Sequence, residues 1–188
     1  MKKYLLILVV TLFSTKLSAQ DFSLNVNAIP IIDGAINAGA AYAINDRYTI
    51  DLSGAVRPWA RGEDNVNKYW GAKPELRYWT CQKFNGSFFG AFMTGSQYNV
   101  GGKDMPFGLF PDVKKYRYEG WSVGGGISYG YHFMLNDHWN LEASIGAGYN
   151  YYEYTQYECP VLCARVLKNG KYHYWGINTL SLSLVYLF

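Results

Sequence analysis

Apolar and polar positions alternate with a period of two along most of this chain. Near its end, Leu180, Leu182, Leu184, Tyr186 and Phe188 are apolar or aromatic, and Ser181 and Ser183 between them are small and polar. Successive side chains of a strand point to opposite faces, so this pattern predicts one apolar and one polar face. The same alternation sets Tyr48, Ile50, Leu52 and Val56 against Thr49, Asp51, Ser53 and Arg57. Trp121, Val123, Ile127, Tyr129, Tyr131 and Phe133 alternate with Ser122, Gly124, Gly126, Ser128, Gly130 and His132. Trp139, Leu141, Ala143, Ile145, Ala147, Tyr149 and Tyr151 alternate with Asn140, Glu142, Ser144, Gly146, Gly148 and Asn150.

Eight strands follow from these runs and the turn signals between them. The first spans Phe22 to Ile29, and Pro30 to Gly34 turns the chain. The second spans Ala35 to Ile44, before an Asn45-Asp46 tight turn. The third is Arg47 to Arg57, followed by a polar loop, Pro58 to Asn67. The fourth is Lys68 to Thr80, with Trp70, Ala72, Leu76 and Tyr78 opposed to Lys73, Glu75 and Arg77. A short turn, Cys81 to Gly86, precedes the fifth, Ser87 to Tyr98. A long segment, Asn99 to Lys115, leads to the sixth, Tyr116 to Phe133. Asn136-Asp137 turns into the seventh, Trp139 to Tyr152, and a second long loop, Glu153 to Tyr172, leads to a closing strand from about Tyr174. Connections after strands two, four and six are short. Those after three, five and seven are long, which is the asymmetry of bacterial outer-membrane barrels. The predicted fold is therefore all-β: an eight-stranded antiparallel up-and-down transmembrane β-barrel. A soluble lipocalin-like barrel would instead turn the apolar faces inward. The many Trp and Tyr on the apolar faces favour a lipid exterior.

The start of the chain changes the charge balance. Lys2 and Lys3 precede an apolar run, Tyr4 to Phe13, and Leu17-Ser18-Ala19 offers a small-residue cleavage site. This is the layout of a secretory signal peptide, too short for a spanning helix. Residues 1–19 are read as the leader and residues 20–188 as one barrel domain, targeted to the cell outer membrane. The full chain has 17 Lys and Arg against 14 Asp and Glu. Lys2, Lys3 and Lys16 leave with the leader, so the mature chain is formally neutral and gives no charge argument for nucleic acid.

Candidate chemistry is sparse. Asp51, Arg57, Lys73, Glu75, Arg77 and Glu142 share the polar faces. An eight-stranded barrel is just wide enough for side chains to fill, and buried charges must pair. These six are expected to form a structural ion-pair network plugging the lumen, with a narrow pore as the alternative. Cys159 and Cys163 read as a local disulfide in the last outer loop, with free thiols or a metal as other possibilities; four zinc ligands are not at hand. Gly124-Gly125-Gly126 lacks the Lys-Ser/Thr and helix of a phosphate loop. His132, His138 and His173 sit in no nucleophile motif, so an outer-membrane lipid-modifying enzyme is the third reading and no catalytic residue, cofactor or metal is assigned. Lys114, Lys115, Arg117, Arg165 and Lys168, with Tyr154, Tyr157 and Tyr172, form a candidate outer-loop surface for lipopolysaccharide head groups or a protein.

Two resemblances extend this reading. The terminal Leu184, Tyr186 and Phe188 resemble the signal recognised by the bacterial barrel-insertion machinery. Lys73-Pro74-Glu75-Leu76-Arg77-Tyr78-Trp79, Gln97-Tyr98-Asn99-Val100-Gly101-Gly102, Tyr116 to Gly124, and Trp139-Asn140-Leu141-Glu142 resemble a Bacteroidota envelope family, domain of unknown function 3575. Similarity to that family implies an outer-membrane-barrel-like fold, no transferable catalytic residue, and at most a surface or fimbrial assembly partner. A non-enzymatic structural or surface-interaction role through the outer loops is the function expected.

Overall fold

A computed structural model describes residues 21–59, 66–102, 113, 115–158 and 165–188. Eight antiparallel strands close into one barrel, each paired with its neighbour in sequence and the last with the first. They are β1 (Phe22–Asn27), β2 (Ile36–Ala43), β3 (Tyr48–Arg57), β4 (Val66–Trp79), β5 (Gly86–Gly101), β6 (Arg117–Met134), β7 (Trp139–Tyr157) and β8 (Val166–Leu187). A single helical turn, α1 (Ala28–Ile32), follows β1. No helix among the described residues is long and apolar enough to cross a membrane, which does not bear on strands.

The strands lengthen steadily, from 6 residues in β1 to 22 in β8. The stagger of the barrel underlies this. Starting at Ser23, the register runs through Ala41, Asp51, Glu75, Phe92, Gly126 and Gly148 to Gly176. Ser23 also pairs directly with Leu187. One circuit thus climbs β8 by the distance from Leu187 to Gly176, including one bulged residue. A stagger of this size tilts the strands by roughly 40°.

Three expected boundaries are corrected. β1 stops at Asn27, not Ile29, because the Asn27 side chain accepts from Ile29 N at 3.1 Å and caps α1. β7 continues to Tyr157 and β8 begins at Val166, so most of the loop expected over Glu153 to Tyr172 is a hairpin. Its cross-strand pairs are complementary, with Tyr152 opposite Tyr172 and Glu153 opposite Lys171. Neither pair belongs to an apolar alternation, which hid the strands. A bulge opposite Gly146 and Ala147 leaves Asn178 outside the β7–β8 register.

The two tight turns use one device. Asn45 Oδ1 accepts from Arg47 N and Tyr48 N, at 2.9 and 3.0 Å. Asn136 Oδ1 accepts from His138 N and Trp139 N, at 3.0 and 2.9 Å. Each side chain replaces a backbone turn bond. Pro74 sits inside β4, and the register to β5 breaks between Ala72 and Glu75. Pro has no N–H to donate there.

The barrel is polar within and apolar without. Asp51, Glu75, Arg77, Glu142, His132 and Asn140 are buried. Ile50, Leu52, Leu76, Met93, Ile127, Ile145, Leu180, Leu182 and Leu184 are exposed, Ile127 by 74%. Aromatic pairs frame this outer surface. Tyr48–Tyr78 and Phe89–Tyr129 lie at one end, each with ring centroids 5.3 Å apart. Trp121–Tyr151 and Tyr149–Trp175 lie at the other, at 5.6 and 4.9 Å.

Candidate functional site in the barrel lumen

The lower lumen is filled by rings and an ion-pair cluster. The β4–β5 turn folds Phe84 into the barrel mouth, where it is buried against Trp79 with centroids 5.9 Å apart. Phe84 does this at φ 59°, in the left-handed region. Its carbonyl accepts from Asn140 Nδ2 at 2.8 Å, which anchors the strained turn. Phe88 packs on Trp79 at 4.9 Å. Gly130 of β6 faces Phe88, and any Cβ there would overlap the ring. The Trp79 indole N–H donates to Thr49 Oγ1 at 3.0 Å.

Arg77 stands at the centre of the charges. Its Nε and Nη2 donate to Glu75 Oε2 at 3.1 and 2.9 Å. Nη1 donates across the lumen to Glu142 Oε2 at 2.9 Å. Nη2 also lies 3.7 Å from Asp51 Oδ1. The guanidinium stacks on the Phe88 ring, 4.6 Å from its centroid. Lys73 Nζ donates to Glu75 Oε2 at 3.0 Å. Ser128 Oγ donates to Glu75 Oε1. Asn25 Nδ2 donates to Asp51 Oδ2 at 2.8 Å. His132 Nε2 lies 2.8 Å from Glu142 Oε2, with its Nδ1 3.4 Å from Asn140 Nδ2. Mutual ion pairs and hydrogen bonds make such a buried cluster tolerable, although Asp51 Oδ1 and Asn140 Oδ1 accept no hydrogen bond.

Five of the six lumen residues read from sequence meet here: Asp51, Lys73, Glu75, Arg77 and Glu142. Arg57 does not. It pairs with Asp33 at 3.0 Å near the other end of β3, where Asn67 Nδ2 also donates to Asp33 at 3.1 Å. The reason is geometric: Arg57 lies six residues beyond Asp51 along the same strand. Sequence reasoning missed His132, Ser128 and Asn25 as partners. His132 carried a usable signal, because the Asn136-Asp137 turn sets β6 against β7 and puts His132 opposite Glu142.

Above the cluster the lumen is not filled. A chamber of about 320 Å³ lies between the ion pairs and the upper strands, lined by Asn27, Asn37, Ser53, Tyr69, Lys73 and Asn178 among others. Higher still, Val100, Val113, Tyr118 and Tyr152 form a second apolar cluster, joined by Tyr98, Tyr116, Tyr154, Tyr172 and Tyr174. The plug foreseen for the whole lumen is thus confined to its lower part.

The other predicted residues are dispersed. Arg117 opens β6 and lies over the Tyr157 ring at 4.2 Å. Lys168 belongs to β8, opposite Gln156, rather than to a loop. Lys115 is exposed. Arg165 faces Glu158 at 3.8 Å with both side chains exposed, a pair worth little. Lys114, Cys159, Cys163 and residues 1–19, expected to be a leader, lie outside the described residues. Cys81 is a free, exposed thiol in the β4–β5 turn. Leu184 and Phe188 face outward, Phe188 on Phe22 with centroids 5.5 Å apart. Tyr186 packs on Trp139 at 4.9 Å.

Chemically, the cluster binds its own members. The His132–Glu142 pair has Asn140, and no hydroxyl nucleophile, at its other ring nitrogen. Among the described residues no group of three His, Cys, Asp or Glu side chains is placed to hold a metal. No curated protein and no solved structure matches the chain. The model of one family, protein of unknown function (DUF3575), matches residues 5–188, and the chain therefore belongs to that family.

Proposed function

We propose that this protein is a non-enzymatic outer-membrane β-barrel, exported by a leader ending at Ala19, with a structural or surface-assembly role carried by its outer end. One observation carries this reading: the barrel presents its apolar faces outward and pairs its charges inside. Water would penalise that arrangement and hydrocarbon rewards it, because closure leaves few backbone groups unpaired. The aromatic rows give a thickness. Trp70 and Tyr78 of β4, like Trp121 and Tyr129 of β6, are eight residues apart. At ~3.3 Å per residue and a tilt of ~40°, the band between them is about 20 Å tall, close to that of known outer-membrane barrels.

Leu184, Tyr186 and Phe188 supply the contact for the insertion machinery. Lys115, Arg165 and Lys168 at the opposite end suit anionic lipopolysaccharide or an assembly protein. The buried Arg77–Glu142 bridge favours a closed lumen over a pore.

Membrane fractionation with gel electrophoresis of boiled and unboiled intact protein tests the proposal. An outer-membrane protein whose unboiled form migrates faster is expected. A soluble periplasmic protein with no heat shift would overturn it. In planar bilayers the wild type should be silent. Reproducible channels abolished by changing Arg77 or Glu75 would instead favour the pore.

A further inference from the structure

The barrel wall closes unevenly. β1 ends at Asn27 opposite Ser183, while β8 runs on to Val166. Above Ser183, no described strand pairs with β8 on that side. Side chains close the lower part of the gap instead. Asn27 Oδ1 accepts from Leu182 N at 3.2 Å, and Asn27 Nδ2 donates to Leu180 O at 3.5 Å. Higher up, Tyr174 Oη donates to Ile177 O at 3.1 Å. α1 stands against β8 in the gap, with Ile31 and Ile32 exposed by 50% and 80%. Ile177, Leu180 and Leu182 are exposed on β8. An irregular wall of this kind is tolerated at membrane depth where it is buried in protein or lines a water-filled cavity.

A cavity does lie behind it. Asn27 and Pro30 bound the chamber on one side of the gap, and Asn178, Thr179, Leu180 and Ser181 on the other. Asn178 is the bulged residue, and both its amide Oδ1 and Nδ2 are buried without a hydrogen-bond partner. An unmatched buried amide in a chamber lining takes its partner from the chamber's contents, water or a ligand that displaces it. The chamber's charges pair with one another, Lys73 and Arg77 with Glu75, Arg77 also with Glu142, and Asp51 with Arg77 at 3.7 Å, although Asp51 Oδ1 accepts no hydrogen bond. What remains is amide, hydroxyl and the Asp51 Oδ1 acceptor, which suits an uncharged, polyhydroxylated ligand with hydroxyls to donate. An ionised head would need a counter-charge that the ion pairs do not spare. At ~30 Å³ per water, the chamber holds about ten waters, enough for a small sugar-like head to displace several.

We propose that the gap between α1 and β8 is a side entrance from the outer half of the membrane, and that the chamber takes the polyhydroxylated head of an amphiphile whose tail stays in lipid along Ile32 and Leu180. The inference rests on the membrane reading above. Asn178 would hold the head, and the α1 turn would flank its tail.

Native mass spectrometry of the intact mature protein, in micelles of an amine-oxide detergent, tests this with three probes at equal concentration: n-octyl glucoside, free glucose and octyl phosphocholine. A one-to-one adduct with octyl glucoside is expected, at least ten-fold more populated than with either other probe. Asn178→Leu should lower it at least ten-fold while the unboiled gel band keeps its fast migration. If that variant loses the fast band, Thr179→Val serves in its place, with a several-fold loss expected. Equal binding of free glucose would overturn the side entrance, since the chamber would then fill from water. Equal binding of octyl phosphocholine would overturn the choice of head. No adduct from a heat-shifting wild type would overturn the inference and leave the barrel standing. A wild type without the heat shift would remove both.

Discussion

The lower and upper parts of the barrel are built on different terms. Below, all eight strands take part, the turns are tight, and the interior is packed with Trp79, Phe84, Phe88 and the Arg77 cluster. Above, β1 to β3 have ended, and β4 to β8 rise as a curved sheet with tyrosines on its inner side. The lower ring must satisfy every backbone group and every charge within itself. The upper sheet has solvent available on the proposed membrane reading, so it can end in a ragged rim. The contrast says where the sequence is intolerant: strain and buried charge are concentrated below, and tolerance lies above.

The largest effect that would sharpen this contrast is expected at Glu142. Glu142→Ala leaves the Arg77 guanidinium short of its cross-lumen partner while still buried, and should cost about 3–5 kcal/mol. The urea midpoint of the fast-migrating band reads it. A change below about 1 kcal/mol would mean that water enters the cluster and the lower lumen is not a dry plug. Next comes Gly130→Ala, which pushes a methyl group into the Phe88 ring; overpacking of this kind costs about 1–3 kcal/mol. The same midpoint measures it, and the double variant with Phe88→Leu should recover most of the loss. Smaller again is Asn136→Ala, which removes two turn hydrogen bonds and is expected to cost about 1 kcal/mol. Replacing Tyr154 to Lys168 by a short turn should change the lower barrel least, within about 0.5 kcal/mol. A loss comparable to that of Glu142→Ala would erase the division between the two parts.

One effect should depend on pH. Lys83 donates to Asp21, and this hydrogen bond holds its ammonium above the usual lysine range. A raised value means stability that is fully present below the ordinary lysine pKa and lost as pH rises through the raised one. Wild type should therefore lose a small part of its stability in strongly alkaline buffer, and Lys83→Met should not show that part of the loss.

The lower barrel was legible because its residues answer to two constraints at once. The apolar outer face must alternate with the packed inner face, so Tyr48 to Arg57 and Trp139 to Tyr152 read directly as strands. The cluster followed, since charges on the inner faces of an eight-stranded ring have nowhere else to go. The upper hairpin carried no such signal. Its residues, such as Glu153, Thr155, Lys168 and Asn169, have no greasy side to face, and their strand pairing depends on partners far along the chain. The chamber was illegible for a related reason. It arises from the early end of β1 at a helix cap and from the bulge at Asn178, and neither leaves a periodic mark. Arg57 was misplaced because alternation gives the face of a residue but not its height.

The short pairing of the first and last strands also bears on how the chain folds. Seven of the eight strand interfaces join neighbours in sequence and can zip from local hairpins. The eighth joins Ser23–Asn27 to Ser183–Leu187, more than 150 residues apart in sequence. It pairs only five positions of each strand and carries the largest loop-closure entropy. Closing this interface is therefore expected to be the slow, late step, and a nearly finished sheet with two free edges the species that aggregates when closure stalls.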